Sequence, residues 1–301
     1  MKASVILTAA LLCSTPLAAQ SLPSAPRLES DLSSLNDEFD RETLDPKWNF
    51  FARQNGWPDR LKVLDVNRSV KGALHLQPYH GTWVRDLNAT LIFQMVDGDF
   101  DVRARVRVRG AQSDVPGGTW SLGGLMARIP NDLTEANWEP RRENWHFITT
   151  GVGFERGKPM TETKGTFNSH SSLKLRPMKT GWVELRLVRI GMVFFALARP
   201  DGAKKWLLRD RFYRMQLNPQ MQVGLIAYTT SDDIPPTTEN AAVMNRTVRR
   251  DASVDMLMDV DWIRFARPRL KASWKWEDQV SIHPLANADL SEAAILAALG
   301  D

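Results

Sequence analysis

Six residues of this chain have the types and spacing to hold a sugar. Trp83 and Arg85 follow Gly81, close to Tyr79 and His80. Arg128 closes the run GGLMAR, Trp145 and His146 open NWHFITTGVGFE, and Glu155 closes it. An indole face takes the axial C–H groups of a sugar ring, while guanidinium and carboxylate groups bond paired hydroxyls. Glu155 and His146 are also the candidate acid/base groups. His80 joins them, because imidazole titrates near neutrality. The competing reading makes Trp83 and Trp145 core and makes Arg128 and Glu155 a structural ion pair.

A second constellation is acidic. Asp259 and Asp261 alternate in DMLMDVDWIRF and so share a face with Leu257, Ile263 and Phe265. Carboxylates aimed at an apolar layer are costly unless paired or coordinated. Asp37, Glu38 and Asp40 lie at the other end of the chain, and with the first two acids they offer hard oxygens suited to Ca²⁺. Alternatively, backbone amides or Arg41 satisfy Asp261.

Extended segments must position these residues. Val183, Leu185 and Leu187 alternate with Glu184, Arg186 and Val188, the signature of a strand with one buried face. Gly191 breaks the run, and a second strand resumes at Met192. Asp201-Gly202 marks a turn. Similar short strands are predicted at 37–40, 48–51, 61–66, 73–77, 89–96, 100–108, 122–129, 145–155, 161–167, 171–175, 204–208, 222–229 and 254–265. Trp48, Trp182, Trp206 and Trp262 fall on such strands as core. Residues 130–144 and 231–252 are long polar loops, where function often resides. Only residues 293–299 carry a helix pattern, with Asp289 and Glu292 as its capping box and Gly300 as its stop.

Composition narrows the class. Lys2, the apolar run 5–12 and Pro16-Leu17-Ala18-Ala19 read as a secretory signal peptide cut near Ala19. No run is long enough to span a bilayer. The single cysteine, Cys13, falls within that peptide, so an exported product would rest on its apolar core without disulfides. A periplasmic or extracellular bacterial location follows. Net charge is only +4, from 39 Lys+Arg and 35 Asp+Glu, which does not suggest a nucleic-acid binder. The alternating Arg103, Arg105, Arg107 and Arg109 read as the solvated face of a half-buried strand. Tryptophan is abundant, 11 against 3 tyrosines, and suits both cores and sugar stacking.

The order of NDEFDRETLDPKW, GDFDVRARVRV, GGLMAR, NWHFITTGVGFE, GWVELRLVRIGMVFFALARPDGAKKW, VGLIAYTT and DVDWIRF resembles the DUF1349-like members of the concanavalin A-like lectin/glucanase superfamily. Similar domains form the C-terminal sandwich of some β-xylosidases. The match spans residues 36–265. The resemblance implies an all-β, two-sheet antiparallel jelly roll with carbohydrate contact on a concave sheet. It also implies that the strand of Asp37 and Asp40 lies beside the last one, where related sandwiches often hold a structural calcium.

The expected organisation is a signal peptide at 1–19, a flexible leader at 20–34, a concanavalin A-like sandwich at 35–268 and a tail with a short helix at 269–301. The Glu-x-Asp-x-x-Glu run of retaining glucanases, the Gln-x-His of jelly-roll lyases, a zincin motif, a nucleophile elbow and a P-loop are all missing. The leading expectation is an exported carbohydrate- or polysaccharide-binding protein that uses its concave sheet. One alternative is a glycoside hydrolase or polysaccharide lyase with acid and base on separate strands. Another is an envelope module that binds a protein partner through Trp274 and Trp276.

Overall fold

Period-two alternation builds both sheets of the sandwich. A computed structural model describes residues 31–213, 220–231, 240–269 and 284–300. The signal segment, residues 20–30 of the leader, and Trp274 and Trp276 lie outside these. In chain order the strands are β1 (Asn49–Phe50), β2 (Leu61–Val66), β3 (Leu74–Pro78), β4 (Thr90–Asp97), β5 (Phe100–Arg109), β6 (Ser121–Arg128) and β7 (Trp145–Val152). They continue as β8 (Pro159–Phe167), β9 (His170–Pro177), β10 (Trp182–Ile190), β11 (Val193–Pro200), β12 (Leu207–Tyr213), β13 (Gln220–Tyr228) and β14 (Leu257–Ala266).

Both sheets are seven-stranded. The front sheet runs β1-β4-β13-β6-β7-β8-β9 and the back sheet β12-β11-β10-β5-β14-β3-β2. Every strand pair is antiparallel. This is the expected two-sheet antiparallel jelly roll with a short C-terminal helix.

Burial is unusual because it occupies three layers. Leu125, Ile148, Val223 and Leu225 from the front sheet meet Val102, Ala104, Leu185 and Val260 from the back sheet in the central core. The outer face of the front sheet is apolar too: Leu91, Phe93, Met126, Trp145, Phe147 and Tyr228 are covered by Phe51, Trp57 and Trp83. On the outer face of the back sheet, Val188, Phe195 and Trp206 pack under Ile295 and Leu299 of the C-terminal helix Glu292–Leu299. Arg186 fastens that helix, donating to the carbonyls of Leu299 (3.0 Å) and Gly300 (2.6 Å) while its fork grips Asp101 (2.7 and 2.9 Å). Ser291, rather than Asp289, caps the helix, accepting from Ala294 N at 3.2 Å.

Four local readings change. Besides the terminal helix, short helices form at Phe51–Gln54, where the strand expected at 48–51 ends, and at Ala241–Arg246 within the loop 231–252. Residues 37–40 form no strand; Asp37 makes one isolated bridge to Ile263. The strand expected at 204–208 is displaced to Leu207–Tyr213, where it pairs with β11 across a bulge. The bulge between Val260 and Trp262 in β14 breaks the alternation, so Asp259 does not share the core face with Ile263 and Phe265. Met258, Val260, Ile263 and Phe265 point inward, and Asp259 points out beneath the arginines of β5. Trp48 and Trp206 are buried as expected. Trp182 and Trp262 are half-exposed instead and carry stacked guanidinium groups, Arg105 at 4.6 Å and Arg264 at 4.4 Å from the ring centres.

Candidate functional site

The sequence candidates do not converge on one site. Trp83 and Trp145 are fully buried and pack edge-to-face, their centroids 6.0 Å apart, with Phe147 stacked on Trp145 at 5.2 Å. No indole face remains there for a sugar. Arg128 is 1% exposed. It bonds Glu143 through Nε (2.8 Å) and Nη2 (2.6 Å), donates Nη1 to Gln222 (2.7 Å), and lies 4.7 Å over Phe51. Its acid partner is therefore Glu143 and not Glu155. Glu155 sits in the turn beyond the far end of β7, half-buried and paired with Lys158. Seven residues of extended chain separate the ends of that strand, about 23 Å, so Arg128 and Glu155 cannot contact one ligand ring.

His146 faces the opposite way from Trp145. Its ring lies between the sheets, 4.4 Å from Phe212 and 4.8 Å from Phe194. Gly165 makes room for it, because a Cβ there would fall 2.9 Å from His146 Nδ1. His146 and Glu155 are thus not brought together.

The acidic set is also dispersed. Asp37 accepts from the Trp48 indole (2.8 Å) and from Phe39 N (3.0 Å), and Asp261 accepts from Arg105 (2.8 Å). Asp40 is exposed, and its backbone carbonyl accepts from Asn67. Asp259 is fully buried and engaged by His75 (2.7 Å), Arg107 (2.7 Å) and Arg109 (3.0 Å). Burial alone would raise this carboxyl, but those hydrogen bonds outweigh it and hold Asp259 at about 2. Arg105 divides between Asp201 and Asp261, and Arg103 bonds Asp101, so the arginine stripe is matched by acids of its own sheet. No group of three or more His, Cys, Asp or Glu among the described residues gathers as a metal site. The four candidate ligands do not fit a shared calcium.

What the front sheet retains is a short cleft. About 340 Å³ in volume, it is lined by Thr82, Val84, Arg85, Trp120, Lys164, Leu173 and Thr230. Of the sequence candidates, only Arg85 borders it. Trp120 escaped notice because it lies just before β6, outside any alternating run. Its half-buried ring is the aromatic surface of the cleft. Both Trp120 (φ 47°) and Arg85 (φ 52°) hold left-handed backbone conformations. Such geometry is costly for bulky side chains and persists only where the surroundings enforce it. Trp120 N donates to Gly153 O (2.8 Å), and Arg85 N donates to Ser171 Oγ (2.7 Å).

The cleft floor is a buried polar cluster on β8 and β13. Lys164, 2% exposed, donates to Trp83 O at 2.9 Å. Its Nζ also lies 2.8 Å from Glu162 Oε1, off the hydrogen-bond direction, so that contact is a charge pair. Tyr228 OH donates to Glu162 Oε2. Burial first, then the charge of Glu162, push Tyr228 well above the usual phenol range, so it stays a proton donor and not a base. The run MTETKGTF held the signal for this cluster: polar residues on both faces of a central strand must be burying polar groups somewhere.

A second cavity of about 180 Å³ adjoins the cleft, lined among others by Arg60, His80 and Arg249. Burial draws Arg60 down to about 10, leaving it charged at neutral pH. His80 Nδ1 accepts from Ser231 N (3.0 Å), which leaves the ring proton on Nε2. Burial, then Arg60 and Arg249, depress His80 to about 4. The folded pKa lies below the unfolded one, so this stability is full above pH 6.5 and is lost as pH falls toward 4. The urea midpoint is expected to drop between pH 7 and pH 4.5 by the equivalent of about 2 kcal/mol, and His80→Gln is expected to flatten that slope.

No protein-family model and no curated protein matches the chain. Solved structures are similar to it at low identity. A functionally unknown protein from Saccharomyces cerevisiae is 15% identical with a TM-score of 0.46, covering 71% of this chain and 96% of the other. A xylan β-1,4-xylosidase from Bacillus halodurans is 13% identical with a TM-score of 0.49, covering 84% and 42%. A GH43 protein from Bacillus licheniformis is 13% identical with a TM-score of 0.49, covering 77% and 39%. The chain thus spans less than half the length of these two Bacillus proteins. At such identities and TM-scores, all below 0.5, the likeness carries no inference about this chain. The resemblance to DUF1349-like proteins rests on motif order. No described helix is long and apolar enough to cross a membrane.

Proposed function

We propose that this chain is an exported carbohydrate-binding protein whose site is the short cleft at Trp120 on the outer face of the front sheet. One observation carries the reading: a half-buried indole in strained backbone opens onto hydroxyls and cations, namely Thr82, Thr230, Arg85 and Lys164. A ring stacked on Trp120 would present its hydroxyls to those donors. At about 340 Å³ the cleft is at the small end of ligand sites. Covering apolar side chains close much of the rest of the outer face, so a short glycan or a chain end fits and a long threaded polymer does not. Export rests on the N-terminal segment.

Binding is favoured over hydrolysis because no carboxylate among the described residues lines the cleft. Glycosidic cleavage needs two carboxyl groups flanking one bond. Glu162 is single and already engaged by Tyr228 and Lys164 beneath the floor.

A glycan array followed by calorimetry tests the reading. Wild-type chain is expected to retain a glycan without releasing reducing ends. Trp120→Gly, which suits the left-handed backbone while removing the ring, is expected to weaken binding about thirtyfold, the loss of roughly 2 kcal/mol. Trp120→Phe is expected to keep most of the affinity. Absence of any bound glycan, or steady release of reducing ends, would overturn the proposal.

A further inference from the structure

The cavity beside the cleft has its own chemistry. It shares Thr82 and Thr230 with the cleft, so one ligand can reach both. Its most deeply held charge is Arg60, 4% exposed. A guanidinium taken out of water ordinarily meets a carboxylate, because neutral partners return only part of its hydration. Among the described residues, Arg60 meets neutral oxygens only. Nη1 donates to Asn88 Oδ1 at 3.0 Å, and Nη2 donates to the carbonyls of Met244 (2.6 Å), Asn245 (3.0 Å) and Thr247 (3.2 Å).

No acid lines this cavity among the described residues. The other charged residue on its wall is Arg249, whose partner Asp251 is not part of the lining. His80 adds a neutral ring with its proton on Nε2. Gly81 lets the arginine lie there, since a Cβ at that position would fall 2.9 Å from Arg60 Cδ. Pinning residues 244–247 to β2 accounts for the carbonyl bonds, but a neutral amide could serve that purpose. It explains neither the uncompensated charge nor the space beside it.

We propose that this cavity is an anion subsite that receives the carboxylate or sulfate of an acidic sugar whose ring lies in the adjoining cleft. The proposal rests on the carbohydrate reading above and narrows it to anionic glycans. Lys164 is charge-paired with Glu162, so the cleft's contribution comes from Arg85 on its wall, and the subsite's from Arg60.

Calorimetry on the full chain at low salt, with three matched disaccharides, tests it: one bearing a uronate, one a sulfate ester, one neutral. At least one acidic ligand is expected to bind tenfold or more tightly than the neutral one, as a charge-assisted hydrogen bond provides. That preference is expected to shrink with added salt and in Arg249→Gln. The tighter acidic ligand identifies the anion. Equal affinity for all three overturns the subsite while leaving the cleft reading intact.

If no sugar binds, the cleft reading fails, and inorganic sulfate then decides the subsite alone. A rise in melting temperature over matched chloride, absent in Arg60→Gln and reduced in Arg249→Gln, supports it. No rise overturns it.

Discussion

Lys164→Ala is expected to destabilise the protein by about 3–5 kcal/mol, enough to lower the melting temperature by roughly 10 °C. The substitution leaves Glu162, which has no exposed surface, without its counter-charge inside the front-sheet cluster. Tyr228 can still donate one hydrogen bond, but it cannot supply charge, because its phenol stays protonated. Lys164 also lies 5.2 Å from the Phe147 ring and 5.8 Å from that of Tyr228, and those contacts vanish with the ammonium. Glu162→Leu combined with Lys164→Met is expected to recover most of the loss, since no charge is then stranded. Thermal melts of the single and double variants decide it. A single variant that melts within a degree of wild type would show that water reaches Glu162.

Glu143→Ala is expected to cost about 3 kcal/mol by stranding the Arg128 guanidinium. Gln222 and the Phe51 ring keep part of its surroundings, which places the effect at the lower end for a broken buried pair. Glu155→Ala serves as the contrast. Its side chain is 41% exposed and paired with Lys158, so the change is expected to stay within about 0.5 kcal/mol. Chemical denaturation of both variants separates the two descriptions of Arg128. If Glu155→Ala were the costlier change, the sequence pairing of Arg128 with Glu155 would stand against the geometry.

The scaffold was legible where alternation ran unbroken. In β5, β10 and β13 each inward residue found its place in the central core. Legibility failed at interruptions. A single bulged residue in β14 turned Asp259 from the core to the outer face and dissolved the proposed calcium set. Distance along a strand misled in a different way. Arg128 pairs in register with Trp145 at one end of β7, while Glu155 follows the other end, so motif order suggested a neighbourhood that strand length forbids.

The candidate cleft was the least legible feature. Trp120, Thr82 and Thr230 come from three separate connections, and each is unremarkable in its own segment. The tryptophans that drew attention, Trp83 and Trp145, belong to a second apolar layer instead. Covering segments turn the outward face of the front sheet into core, which no period-two pattern can anticipate.

Sequence alone determined most of the strands and the short terminal helix, because side-chain alternation and turn chemistry act between near neighbours; the two-sheet arrangement followed only from the motif resemblance. Tertiary structure alone decided which outward-facing residues stay wet. Trp120 and Arg85 meet across a cleft, Lys164 forms part of its wall while Glu162 is sealed beneath, and Arg60 is buried with no acid partner among the described residues. The reason is physical: burial and charge pairing depend on what other segments lay over a face, and those segments come from distant parts of the chain.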